Sequence, residues 1–169
     1  DQARDALLAV EASGRATMSE LRHVMGLLTM GADEPGDLAP QPGLDELEAL
    51  VARVRDTGLP VALTVEGERR ALPSGIELAA YRVVQEALTN TVKHASGASA
   101  AVTLDYGVDH LKVEVTDTGG TPGAAAATGN GRGLIGLRER LSVYGATLHS
   151  GPRLLGGYRV TAEIPLETT

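Results

Sequence analysis

The stretch SGIELAAYRVVQEALTNTVKHASGASAAVTLDYGVDHLKVEVTD, residues 74–117, changes its hydrophobic period partway along. Ile76, Ala79, Ala80, Val83, Val84, Ala87, Leu88 and Val92 recur at the spacing of one helix face, which predicts a helix over 74–95. Ser74 is the expected N-cap, with Glu77 three residues on as the second half of a capping box. The period then drops to two. Val102 and Leu104 alternate with polar residues in 100–106, as do Leu111, Val113 and Val115 in 111–116. Gly107 to His110 reads as the turn between them, so the two strands form a hairpin.

Outward from this unit, Leu44, Leu47, Leu50, Val51 and Val54 mark a short helix over 44–56, stopped by Gly58. Val61, Leu63 and Val65 alternate as a half-buried strand. On the other side lie a Gly/Ala/Thr loop over 118–131, a helix over 133–144 and a strand pair at 147–150 and 157–165. Helices and strands alternate, yet neighbouring strands form hairpins. This predicts a mixed sheet with helices on one face, a two-layer α/β sandwich, over an all-parallel doubly wound sheet. Residues 30–43 (MGADEPGDLAPQPG) read as a linker. Residues 1–29 read as one helix whose Leu7, Met18, Leu21, Met25 and Leu28 fall near a seven-residue spacing. That helix packs either on its own domain or against a partner helix.

Composition narrows the function. The chain has 169 residues, net charge −7, no Cys, no Phe, no Trp and 4 Tyr. A disulfide scaffold, a thiolate metal site and a Cys nucleophile are excluded. An acidic chain without clustered Lys and Arg or stacking aromatics is not built to hold nucleic acid. No apolar run reaches the roughly 20 residues that span a bilayer.

Three groups of residues could carry chemistry. Glu86, Asn90 and Lys93 share a stripe of helix 74–95, with His94 beside them. Glu and Asn oxygens suit a hard cation such as Mg²⁺, and Lys suits a phosphate; the same residues also suit a plain solvated face. Asp117-Thr118-Gly119-Gly120 stands where a strand runs out. A carboxylate there can accept from an amino group, although the pattern is equally ordinary turn chemistry. Gly129, Gly131, Gly133 and Gly136 in GNGRGLIG lead into the helix over 133–144, where exposed N–H groups favour an anion. The G-x-G-x-x-G match within it does not follow a strand directly, so it is not a dinucleotide fingerprint.

Taken together, YRVVQEALTNTVKHA (81–95), VTDTGG (115–120), GNGRGLIGLRERLSVYGATLHSGP (129–152) and GGYRVTAEIPL (156–166) closely resemble the ATP-binding catalytic domain of bacterial sensor histidine kinases. That domain belongs to the ATPase superfamily shared with gyrase, Hsp90 and MutL. The wording is similar to the nitrate-sensor and lipid-fluidity-sensor subfamily in an actinobacterial style. The resemblance implies the Bergerat ATP-binding fold over 44–169, a linker over 31–43 and, over 1–30, the second helix of a dimerisation hairpin. It implies ATP and Mg²⁺ as ligands. Asn90 would hold Mg²⁺, with Glu86 in its first or second shell; Lys93 would reach the phosphates and His94 would line the pocket. Asp117 would bind the adenine amino group and Gly119 would shape its pocket. Residues 121–130 would be a lid. Gly129, Gly131, Arg132, Gly133 and Leu134 would border the triphosphate, and Thr161 would be a further pocket residue.

Two departures stand out. Position 121 is Thr where the family places a further glycine. No phosphoacceptor histidine motif occurs: His23, His110 and His149 read as structural. The resemblance implies a chain lacking its acceptor helix, cytoplasmic or the cytoplasmic part of an anchored sensor, serving a response regulator receiver domain and dimeric through the hairpin when whole. An anti-sigma-type serine kinase on the same fold, or a nucleotide-switched module without catalysis, would share these motifs.

Overall fold

The helix over residues 74–94 is built around complete burial of one side: Ala80, Val83, Val84 and Leu88 are all fully enclosed. The computed structural model describes residues 40–120 and 132–167. The opening helix, most of the linker, His23, the lid over 121–130, Gly129 and Gly131 lie outside the described residues. All described residues fall in one unit, Leu38–Thr169.

A single 3-10 turn, Leu44–Glu46, leads into α1 (Leu47–Asp56), followed by β1 (Val61–Gly67), α2 (Ser74–His94), β2 (Ala100–Tyr106) and β3 (His110–Asp117). Then come α3 (Arg132–Ser142), β4 (Thr147–Pro152) and β5 (Tyr158–Pro165). The sheet order is β1-β2-β3-β5-β4. β1 pairs parallel with β2, and every other pairing is antiparallel. Parallel neighbours need a crossover, and α2 supplies it. The sheet is therefore mixed, as the alternating pattern predicted.

Register puts the apolar positions on one face. Val102 faces Val115, Leu104 faces Val113, and β5 continues the rows with Val160 opposite Val115 and Ala162 opposite Val113. All six are buried, as are Leu111, Leu148 and Ile164. α2 packs on β2, β3 and β5, α1 on β1, and α3 on α2 and β4. The opposite face carries Lys112, Glu114, Arg159 and Thr161, none of them buried. This is a two-layer sandwich.

The expected capping box at Ser74 does not form. Ser74 is already helical, Pro73 takes the cap position, and the cap has no side-chain hydrogen bond. The Pro73 carbonyl instead accepts from the Ile76 and Glu77 amides at 2.9 and 3.1 Å. The pattern S-x-x-E was present, but the rigid φ of −54° at Pro73 turned the chain one residue earlier. The helix over 133–144 ends sooner than expected, at Ser142, because Gly145 (φ +69°) lets Ala146 donate to the Leu141 carbonyl at 3.1 Å.

Two outcomes follow from this packing. Leu141 is fully enclosed, whereas Ile135 on the same helix is 58% exposed. Leu141→Ala should cost about 2–5 kcal/mol in urea denaturation, and Ile135→Ala under about 0.5 kcal/mol. In the β2–β3 turn, Asp109 Oδ1 lies 2.9 Å from His110 Nδ1. This bond raises the His110 pKa above 6.5 and lowers that of Asp109 below 3.8. The pair contributes most between those values; it fades as pH rises through the folded His110 pKa or falls through that of Asp109. An NMR titration should give a His110 midpoint above 6.5 that moves back down in Asp109→Asn.

Candidate functional site

β3 ends on Asp117, fourth in the row Leu111, Val113, Val115, Asp117 that turns toward the helices. A carboxylate on a buried face must find donors, and Asp117 is 7% exposed. Its Oδ1 accepts the Gly119 amide at 2.8 Å and the Tyr158 amide at 3.2 Å. Its Oδ2 accepts the Thr91 hydroxyl of α2 at 3.3 Å. Its carbonyl accepts Arg153 Nη1 at 2.8 Å. The Gly119 bond is the expected turn chemistry. The bonds from Thr91, Arg153 and Tyr158 come from elsewhere in the fold and serve no turn.

Glycines make this convergence possible. Gly119 (φ +78°) and Gly157 (φ +83°) adopt left-handed backbone. A Cβ on Gly119 would lie 2.8 Å from the Gly157 nitrogen, and one on Gly157 would run into the Asp117 carbonyl. A Cβ on Gly120 would meet the backbone of Ala95 and Ser96, just past the end of α2. The β4–β5 turn is held by Arg153 N–H donating to the Gly157 carbonyl at 2.9 Å and Gly156 N–H to the Arg153 carbonyl at 3.1 Å.

α2 opens one face toward this junction. From Val83 to Thr91 every residue is buried except Glu86 and Asn90. Lys93 and His94, in the last turn, are half-buried. The start of α3 approaches α2 at Glu86: a Cβ on Gly133 would collide with the Glu86 carboxylate. Along α2, therefore, Glu86 meets α3 and Thr91 meets the end of β3; just past its end, Ser96 meets Gly120. Asn90 sits between the first two contacts.

Glu86 thus lies against the start of α3 at Gly133, and Thr91 lies against Asp117 and its Gly119 turn; Asn90 stands between Glu86 and Thr91 in sequence, with Lys93 and His94 in the last turn of α2. Arg132 opens α3, and Leu134 lies within its first turn, partly exposed. Thr161 is not brought there. It occupies the opposite sheet face, where its hydroxyl donates to Glu114 Oε2 at 3.4 Å beside a depression of about 430 Å³ shared with His149 and Arg159. Strand parity is the reason: Val160, Ala162 and Ile164 point inward, so 161 points out. Thr91, Arg153 and Gly157 are the contributors that sequence reasoning missed; the glycine pair at 156–157 was the available signal for a close backbone approach.

Among the described residues no three His, Cys, Asp or Glu side chains converge on a point. A cation here would take few protein oxygens and complete its shell with water and ligand oxygens. Mg²⁺ does this when bound beside phosphates, and the Asn90 and Glu86 oxygens fit that donor set.

Comparison with known proteins identifies the family. Residues 75–168 match the family model described as histidine kinase-, DNA gyrase B-, and HSP90-like ATPase. The chain is 33% identical over 129 residues to the sensor histidine kinase YxjM of Bacillus subtilis, covering 75% of this chain and 31% of that protein. It is 31% identical over 108 residues to the sensor protein VraS of Staphylococcus aureus, covering 64% of this chain and again 31% of the relative. The chain therefore spans about a third of the length of these relatives. Among solved structures, the histidine kinase domain of a blue-light activated kinase from Erythrobacter litoralis superposes with TM-score 0.53 at 25% identity, covering 83% of this chain and 70% of that one. Full-length ShkA, solved with AMPPNP, gives 0.58 at 18% identity, covering 100% of this chain and 40% of that one. With more than half its residues matched, this chain belongs to the histidine kinase-, DNA gyrase B- and HSP90-like ATPase family.

Proposed function

We propose that this chain binds Mg-ATP and, in the protein it comes from, donates the γ-phosphoryl group to a histidine on a dimerisation helix, for relay to an aspartate of a response regulator. The observation that carries this reading is the buried Asp117 carboxylate at the end of β3, bonded to Thr91, the neighbour of Asn90 on α2. The relative named a sensor histidine kinase, YxjM, supports the choice of histidine as acceptor. No helix among the described residues is long and apolar enough to cross a membrane.

Asp117 accepts the amino group of the base, while Gly119, Gly120 and Gly157 keep side chains out of the way. Asn90 and Glu86 would hold the metal ion, which would supply neutralisation of phosphate charge. Lys93 adds a point charge near the phosphates, and the free N–H groups at the start of α3 add partial positive charge. In transfer, the acceptor histidine nitrogen forms a bond to phosphorus as the bond to the ADP oxygen breaks. Such chemistry depends mainly on positioning and charge stabilisation. None of His23, His94, His110 or His149 sits in a phosphoacceptor sequence motif, so the chain alone does not label itself.

Calorimetric titration tests this. Wild type should bind Mg-ATP; Asp117→Ala should weaken binding by roughly a hundredfold, the cost of losing a buried charged partner to the base. Asn90→Ala should remove the Mg²⁺ dependence and leave metal-free binding unchanged. With γ-labelled ATP the isolated chain should stay unlabelled, and a supplied histidine-bearing dimerisation segment should gain acid-labile label. Acid-labile label on this chain alone would refute the division of labour; acid-stable label on a partner serine would favour the serine-kinase alternative.

A further inference from the structure

We infer that Thr91 is a positioning residue that fixes the plane of the Asp117 carboxylate and so sets recognition of the amino group on the base; this rests on the ATP-binding reading of the site. An ionised carboxylate offers about four lone-pair positions, two on each oxygen. Oδ1 accepts both the Gly119 and Tyr158 amides. Two donors on one oxygen fill it and leave the group free to pivot about that point. Only the Thr91 hydroxyl, among the described residues, reaches Oδ2, at 3.3 Å.

That third bond stops the pivot. It also leaves a single open acceptor position, on Oδ2. An N–H donor on a purine satisfies that position; a base carrying a carbonyl there would set lone pair against lone pair. The Thr91 hydroxyl lies 3.1 Å from the Ala87 carbonyl as well. Both of its neighbours are acceptors, so it can only donate, and its one proton is shared between them. Thr91 is 5% exposed and enclosed by α2, so water cannot replace it easily.

The test compares ATP with purine riboside triphosphate, which lacks only the 6-amino group, by titration on the full chain as wild type, Thr91→Val and Thr91→Ser. Valine keeps the volume and removes the donor, while serine restores it. Thr91→Val should weaken ATP about five- to tenfold and the amino-free analogue less than about twofold; Thr91→Ser should stay within about twofold of wild type for both. Equal weakening of both nucleotides by valine would mean that Thr91 only supports the helix, and would overturn the inference. So would unchanged ATP binding in Thr91→Val, or a serine variant as weak as valine. A wild type that binds ATP but does not prefer it to the analogue overturns the inference and leaves the site an ATP site. A wild type that binds neither overturns the ATP reading and this inference together.

Discussion

The burial of one carboxylate constrains the rest of this fold. Asp117 falls at an inward position of β3, where the residues before it are Leu111, Val113 and Val115. An unpaired charge there would cost several kcal/mol. Its partners have to be delivered by segments 26 and 41 residues away, Thr91 on α2 and Tyr158 at the start of β5. The β4–β5 turn must therefore sit against the end of β3, which is possible only because Gly119 and Gly157 lack side chains at the crossing. Arg153 fastens the same crossing from the turn side through the Asp117 carbonyl. An interaction that costs this much to satisfy is hard to explain as stabilisation alone; a well-packed apolar residue would stabilise the strand end with fewer demands.

Much of this was legible in the sequence, for identifiable reasons. Period 3.6 over 74–95 and period 2 over 100–116 each describe a single element packed on one side, so local pattern and tertiary burial agree. β5 was legible too, down to the parity that turns Thr161 away from the site. Placing Thr161 in the pocket followed the family resemblance and set aside the alternation of Val160, Ala162 and Ile164. The local rule was the better guide.

The parts that were not legible depend on proximity between distant residues. Thr91 lies between Asn90 and Val92, and nothing local separates a hydroxyl that reaches another element from one that bonds back to its own helix. In fact it does both. Arg153 stands in GPRLLGG, a stretch that reads as a turn and is one. Its guanidinium matters because β4 and β5 are joined at the β3 end, a fact of sheet order that sequence does not carry. At Ser74 a valid capping pattern lost to the proline before it, so two local rules competed and the stiffer one prevailed.

α2 ties the two ends of the site together. Glu86 and Thr91 are five residues apart, about 7.5 Å along the helix axis at 1.5 Å per residue. Glu86 abuts the first turn of α3 and Thr91 abuts Asp117, so the distance between the proposed metal end and the proposed base end is set by rigid helix, not by loop. The two ends are nevertheless supported differently. The proposed base end rests on the sheet, on the backbone amides of Gly119 and Tyr158 and on one α2 hydroxyl, that of Thr91. The phosphate end rests on side chains of α2 and on where α3 begins. Substitutions that change α3's position, Gly133 above all, should therefore reach the Glu86 carboxylate and leave the Asp117 hydrogen bonds as they are. On the proposed reading, a molecule built this way holds the base in a fixed frame while the reacting end is adjusted through one helix start.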